Sequence, residues 1–122
     1  MDKLFKTLGD QNRLRIINIL MNNKLCVCEV EVILQTTQSN VSRHLSRLRN
    51  EDIITYEKKA QWIYYSVSRS FVEKHGLLYQ YLQHRMSQEQ IFLDDTERLN
   101  RYQSSGENCE TLKGKENVIF AS

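Results

Sequence analysis

Residues 36–67 constrain this chain more than any other stretch. Within them, Thr37-Gln38-Ser39-Asn40-Val41-Ser42-Arg43-His44-Leu45-Ser46-Arg47-Leu48-Arg49-Asn50 places its apolar residues at Val41, Leu45 and Leu48 only. Those positions form one narrow stripe at the helical period. At about 100° per residue, Ser39, Arg43, Ser46 and Asn50 fall on the opposite face, flanked by Ser42 and Arg47. Thr37 is positioned to cap the helix with its side-chain oxygen. Short hydroxyls and guanidinium groups, with no carboxylate before Glu51, suit entry into a DNA major groove, where arginine pairs with guanine or phosphate. The helix alone is equally compatible with a solvated surface.

The residues that follow decide between these readings. Ile53–Glu57 and Trp62–Val67 are rich in β-branched and aromatic side chains, the strand signal. Lys58-Lys59-Ala60-Gln61 between them predicts a loop with two ammonium groups at its tip. A helix followed at once by a basic hairpin is a winged helix-turn-helix, so the fold class read here is mainly α with a small β-hairpin. From Gln35 to Ser70 there are six basic and three acidic residues, against 11 and 12 in the remainder. Positive charge is concentrated where DNA would lie.

The preceding sequence supplies the scaffold. Leu4, Phe5 and Leu8 make a short amphipathic piece, Gly9 breaks it, and Asp10 is a good N-cap for a helix over 11–21. Residues 25–34 then read as the first helix of the helix-turn-helix, with Gln35-Thr36 as the turn. Cys26 and Cys28 are its unusual feature. Two apart on a regular helix, their side chains diverge by about 200°, so they could share an ion only at a frayed or distorted first turn. Helix N-termini favour the thiolate that binds soft metals; small apolar filling is the alternative.

The length of 122 residues allows one compact domain with extensions. A winged-helix and dimerisation domain is expected over 1–100, and a flexible C-terminal tail over 101–122. No apolar run approaches the roughly 18 residues of a membrane span, and the N-terminus lacks a signal-peptide pattern. Three cysteines are no secreted disulfide framework, which predicts a cytoplasmic setting. No catalytic triad, paired carboxylates or phosphate-cradling glycine loop is present, so an enzyme is not expected.

Leu25-Cys26-Val27-Cys28-Glu29, with Gln38-Ser39-Asn40-Val41-Ser42-Arg43-His44-Leu45 after it and Leu8-Gly9-Asp10 and Arg13-Leu14 before it, resembles the ArsR/SmtB family of bacterial winged-helix metalloregulatory repressors. The resemblance runs from about Leu4 to Leu82 and is to the arsenic-responsive branch. It implies a homodimer that binds a double-stranded DNA operator and releases it when As(III) or Sb(III) binds. Carried over by position, Gln38, Ser39, Ser42 and Arg43 contact DNA with Arg47 beside them, and Lys58 and Lys59 lie in the wing. The metalloid ligands would be Cys26 and Cys28. The best-known arsenic site has a third cysteine where this chain has Glu31, so a third ligand is absent, replaced, or supplied by Cys109 in the tail. The family's other metal site would fall on Arg69, Phe71, Leu82 and Arg85, which are poor ligands. The wing turn also lacks its usual glycine.

After the wing, Ser70-Phe71-Val72-Glu73 has capping-box spacing and opens a helix carrying Leu78, Tyr81 and Leu82, expected to pair subunits together with the Leu4/Phe5/Leu8 helix. Gly76 within it suggests close packing. Residues 91–99 continue that helix or form another turn. Two other functions fit the same scaffold: a redox or reactive-sulfur sensor using Cys26 and Cys28 as a dithiol, and a winged-helix protein-interaction module without DNA affinity.

Overall fold

The computed structural model describes residues 2–113. Helix α1 (Asp2–Leu8) lies against α2 (Gln11–Leu20) with Leu4 and Leu8 buried. Asp10 caps α2 as expected, its Oδ1 accepting the Asn12 and Arg13 amides at 2.8 and 3.2 Å. Arg13 returns the favour to α1, whose last carbonyls lack helical partners. Its Nε donates to Thr7 O at 2.7 Å and its Nη2 to Lys6 O at 3.3 Å. Ile16, Ile17, Ile19 and Leu20 of α2 are essentially inaccessible and form the centre of the core.

Before α3 (Val27–Leu34) the chain is extended. Leu25 exchanges both backbone hydrogen bonds with Tyr65, at 3.0 and 2.8 Å, so the entry to α3 is pinned to the wing. Gln35 ends α3 in the left-handed region at φ 55°, and Thr37 caps α4 (Gln38–Asn50) by accepting the Asn40 amide at 3.4 Å. The stripe Val41, Leu45 and Leu48 is buried, and His44 is buried beside it.

The wing is an antiparallel pair, β1 (Ile54–Lys59) and β2 (Trp62–Val67), in register from Ile54↔Val67 to Lys59↔Trp62. Its turn is therefore Ala60-Gln61 alone, and Lys58 and Lys59 belong to the strand rather than to the loop. Ala60 takes the glycine-like conformation, φ 56°, at a cost of about 1–2 kcal/mol.

The C-terminal third departs most from expectation. The helix predicted after the wing is two helices, α5 (Arg69–Lys74) and α6 (Gly76–Met86), broken at His75. Ser68 rather than Ser70 is the N-cap, its Oγ accepting the Phe71 amide at 3.4 Å. A Cβ on Gly76 would meet no atom within 4 Å, so that glycine marks the break and not a tight contact. Residues 90–104 form α7 (Gln90–Ser104), and α8 (Cys109–Lys113) follows. The domain boundary expected after residue 100 thus falls inside α7. Part of the expected tail is packed structure, with Tyr102, Cys109 and Leu112 at 8%, 1% and 0% exposure. Those few apolar side chains in a polar stretch suffice because α7, carrying Tyr102, and α8, carrying Cys109 and Leu112, both pack on α3. Residues 114–122, including Val118-Ile119-Phe120, lie outside the described residues.

Helix α7 is tied to α2 and α3 by a buried charge. Asp95, at 0% exposure, receives Arg15 Nε and Nη2 at 2.7 and 2.9 Å and also binds Arg98. Arg98 Nε donates to Ile33 O at 2.8 Å, and Arg15 Nη2 to Leu34 O at 3.4 Å. Both carbonyls belong to the end of α3, the last turn before the link to α4. Among the described residues no helix is long and apolar enough to cross a membrane.

Candidate metal centre and nucleic-acid interface

The face opposite the α4 stripe is open. Gln38, Ser39, Arg43 and Arg47 are exposed and Ser42 half-exposed. Arg43 Nη2 lies 3.3 Å from Asn40 Oδ1, an exposed contact that a base or phosphate can replace. Arg49, counted with the basic residues, is committed elsewhere: its guanidinium stacks over Tyr56 at 4.3 Å and braces the wing on α4. In the wing, Lys58 and Lys59 are exposed, and Lys59 Nζ sits 3.6 Å from Glu57, which also holds Lys24 at 2.9 Å. Those two ammonium groups and their own contacts hold the Glu57 carboxyl below its ordinary range.

His44 faces inward behind this surface. Arg13 Nη1 is 3.3 Å from its Nδ1, a contact suited to neutral imidazole accepting from the guanidinium. Burial lowers its pKa, Asp10 opposes that, and Arg13 and Arg43 push it further down.

The second site lies at the opposite end of α3. Cys26 is the N-cap residue itself, with φ −88° and ψ 171°. That extended conformation, set by the Leu25–Tyr65 pairing, overturns the divergence expected of two cysteines on a regular helix. Cys26 Sγ and Cys28 Sγ are 3.2 Å apart, and no unwinding of the first turn is needed to bring them together. Cys109 of α8 completes the group: the three sulfur atoms lie within 4.8 Å of one another, all buried. Cys26 and Cys109 are joined as a disulfide, 83 residues apart in sequence, and Cys28 stands outside that bond. The pair expected for a dithiol switch, Cys26 with Cys28, is therefore not the bonded one. Three sulfurs are the donor set of a soft ion; with the disulfide reduced, these residues fit one.

Two residues of this site were not singled out from sequence. Glu29 is 7% exposed. Its Oε1 accepts the Cys26 amide at 3.0 Å and lies 3.4 Å from Cys109 Sγ, while its Oε2 accepts the Tyr102 hydroxyl. One carboxyl thus touches both halves of the site. Burial first, then the hydrogen bond to Glu29, raises the Tyr102 pKa far above that of a free phenol. The signal for Glu29 was legible: Cys26-x-x-Glu29 is capping-box spacing with cysteine in the serine position. Tyr102 carried no such signal. A cleft of about 330 Å³ between α3, the start of α4 and the wing is lined by Cys28, Glu31, Gln38 and Trp62.

A recognition helix with a free hydroxyl and guanidinium face, supported by a preceding helix and flanked by a basic hairpin, defines a winged helix-turn-helix DNA-binding regulator. The family model "Bacterial regulatory protein, arsR family" matches residues 10–56. The arsenical resistance operon repressor of Bacillus subtilis (strain 168) is 40% identical over 78 residues, 63% of this chain and 72% of that protein. The cadmium resistance transcriptional regulatory protein CadC homolog of Staphylococcus aureus is 36% identical over 73 residues, 59% of this chain and 60% of that one. Among solved structures, reduced HlyU from Vibrio cholerae N16961 superposes with a TM-score of 0.56 at 32% identity, covering 65% of this chain and 84% of that one. The chain belongs to the arsR family of bacterial regulatory proteins and is a DNA-binding transcriptional repressor. Its relatives are regulators, not enzymes.

Proposed function

We propose that this repressor binds its operator as a homodimer in the cytoplasm and releases it when As(III) or Sb(III) is held by Cys26, Cys28 and Cys109. The observation that carries this reading is the convergence of three buried sulfurs within 4.8 Å at the start of the helix that supports the recognition helix. A trivalent metalloid supplies three bonds to sulfur when bound. Gln38, Ser39, Ser42 and Arg43 read the bases, while Arg47, Lys58 and Lys59 engage phosphates. The protein acts by binding rather than by catalysis.

The coupling runs through α3. Drawing Cys28, in the first turn of α3, onto one ion with Cys26 and Cys109 shifts that turn, while Arg98 and Arg15 hold the far end of α3 to α7 and α2. Helix α3 packs directly on α4, so a shift of its first turn alters how the recognition helix is presented. Release requires only that the ion favour the shifted shape, by a coupling of about 1–3 kcal/mol. Cys109 sits in a packed helix, so the entropy cost expected of a tail ligand does not weigh against it.

Operator binding by the reduced protein, with and without arsenite, tests this reading. Cys26→Ser, Cys28→Ser and Cys109→Ser should each retain operator binding and lose release. A variant of Cys26 or Cys28 released at the parent's arsenite concentration would remove that residue from the sensor.

A further inference from the structure

We propose that the same three sulfurs read a second input: a hydroperoxide enters at Cys28 and leaves a Cys26–Cys109 disulfide that closes the site to soft ions while the DNA-reading face stays intact. The closure of the metalloid site rests on the function proposed above; the oxidation itself does not.

Three observations carry it. Cys26 and Cys109 are the bonded pair, so the linked form withdraws two of the three donors from any ion. Cys28 lines the cleft between α3 and the wing, whereas Cys26 and Cys109, at 3% and 1% exposure, lie behind it. A small oxidant arriving by the cleft meets Cys28 first. Cys28 Sγ is also 3.2 Å from Cys26 Sγ, which places it within reach for thiol–disulfide exchange.

The steps balance. The Cys28 thiolate attacks the peroxide, the O–O bond breaks, and the alkoxide (hydroxide, for hydrogen peroxide) takes a proton from solvent, matched by the one Cys109 gives up on ionising, and departs, leaving a sulfenic acid. Cys26 then attacks Cys28 Sγ; the S–O bond breaks and the hydroxyl leaves as water with the Cys26 thiol proton. The resulting bond between residues two apart is strained. The Cys109 thiolate attacks Cys26 Sγ, forms the observed bond and expels the Cys28 thiolate. Two electrons pass from Cys26 and Cys109 to the peroxide, and Cys28 is regenerated. In the linked state α4 remains capped by Thr37, with Gln38, Ser39 and Arg43 exposed, so the oxidised repressor keeps its operator and ignores the inducer.

The test uses the full chain, reduced with a phosphine, desalted and exposed to hydrogen peroxide. Non-reducing peptide mapping follows the linkage, and operator anisotropy is read with and without arsenite. The linked protein should bind operator within about twofold of the reduced form, and need at least about tenfold more arsenite for release. Phosphine should restore the response. In Cys28→Ser, linkage of Cys26 to Cys109 should slow by at least about tenfold, and in Cys26→Ser dimedone should label Cys28. Linked protein released at the reduced protein's arsenite concentration overturns the gate. Unchanged linkage rate in Cys28→Ser overturns entry at that residue. A reduced parent that holds its operator at every arsenite concentration overturns the metalloid reading and the gate with it, while the mapping still decides whether the thiols are oxidised as proposed.

Discussion

Asp95 of α7 and Arg15 of α2 form a bidentate pair at 2.7 and 2.9 Å, with the carboxylate wholly buried. This pair, shared with Arg98, fixes α7 over the last turn of α3 and so sets the position from which α8 reaches the cysteines. Asp95→Ala leaves two guanidinium groups without their common partner. Breaking a buried pair costs about 3–5 kcal/mol, and the low end applies because the Arg15 and Arg98 side chains keep 17% and 27% exposure. Urea unfolding of the reduced protein should show that loss. A loss below about 1 kcal/mol, the scale of a surface pair, would mean α7 is held by apolar contacts alone.

Base readers and phosphate anchors should separate under mutation. Arg43→Ala removes a side chain aimed away from the core on the recognition face, and should weaken the specific operator more than random DNA. Lys58→Ala, on the strand edge of the wing, should weaken both about equally and reduce the salt slope by about one. Competition binding at several salt concentrations measures both. Equal losses on both DNAs for Arg43→Ala would remove this helix as the reader.

A dimer is expected from what the chain leaves uncovered. Leu77, Phe5 and Tyr81 are 84%, 53% and 54% exposed on α6 and α1, large apolar groups on the two helices expected to pair subunits. Leu4, Leu8 and Leu82, assigned to the same surface from sequence, are instead buried in the core. Sedimentation should find a dimer at micromolar concentration, with half-sites about 34 Å apart, and Leu77→Asp should shift it to monomer. A parent that sediments as a monomer at that concentration would refute the arrangement.

What the sequence disclosed follows from how local each determinant was. The α4 stripe, the Thr37 and Asp10 caps and the wing strands depend on neighbours a few residues away, and periodicity reports such neighbours. The candidate metal centre was half legible. Cys26 and Cys28 drew attention by type, but their convergence depends on Leu25 pairing with Tyr65 across the fold. Cys109 meets them through contacts as distant, among them those of Asp95, buried at a position that reads as one more surface charge, with Arg15 of α2. Long-range contacts of this kind leave no period in the chain. Ser70-x-x-Glu73 misled for the opposite reason: the motif was local, and Ser68 two residues earlier took its place.

Acid should weaken the fold through His44. Its folded pKa lies below the ordinary value, so between the two values the unfolded chain binds the proton and the native one does not. Stability is then full above pH of about 6.5 and declines as pH falls below it, levelling once the folded imidazole itself protonates. Asp10, which favours the charged imidazole, and Arg13 and Arg43, which oppose it, are the charges acting on the ring. His44→Gln keeps a polar partner for Arg13 without titrating, and should flatten the stability profile over that window. Denaturant midpoints for parent and variant from pH 5 to 7.5 provide the comparison; parallel profiles would place the titration elsewhere.

Tyr102 offers the sharpest separation of site from scaffold. Its hydroxyl, donated to Glu29, joins α7 to the first turn of α3 directly beneath the sulfurs, and both residues are buried. Tyr102→Phe keeps the ring's packing and removes one hydrogen bond to a buried carboxyl, at a cost of about 1–3 kcal/mol. Operator affinity should be unchanged at temperatures where the variant is folded, because α4 and the wing make no contact through this hydroxyl. The arsenite response should weaken, since Glu29 loses the partner that holds it against Cys26 and Cys109. Isothermal measurement of arsenite binding beside operator anisotropy distinguishes the two effects. If the variant binds arsenite and releases DNA like the parent, the carboxyl is only a cap for α3 and takes no part in presenting the sulfurs.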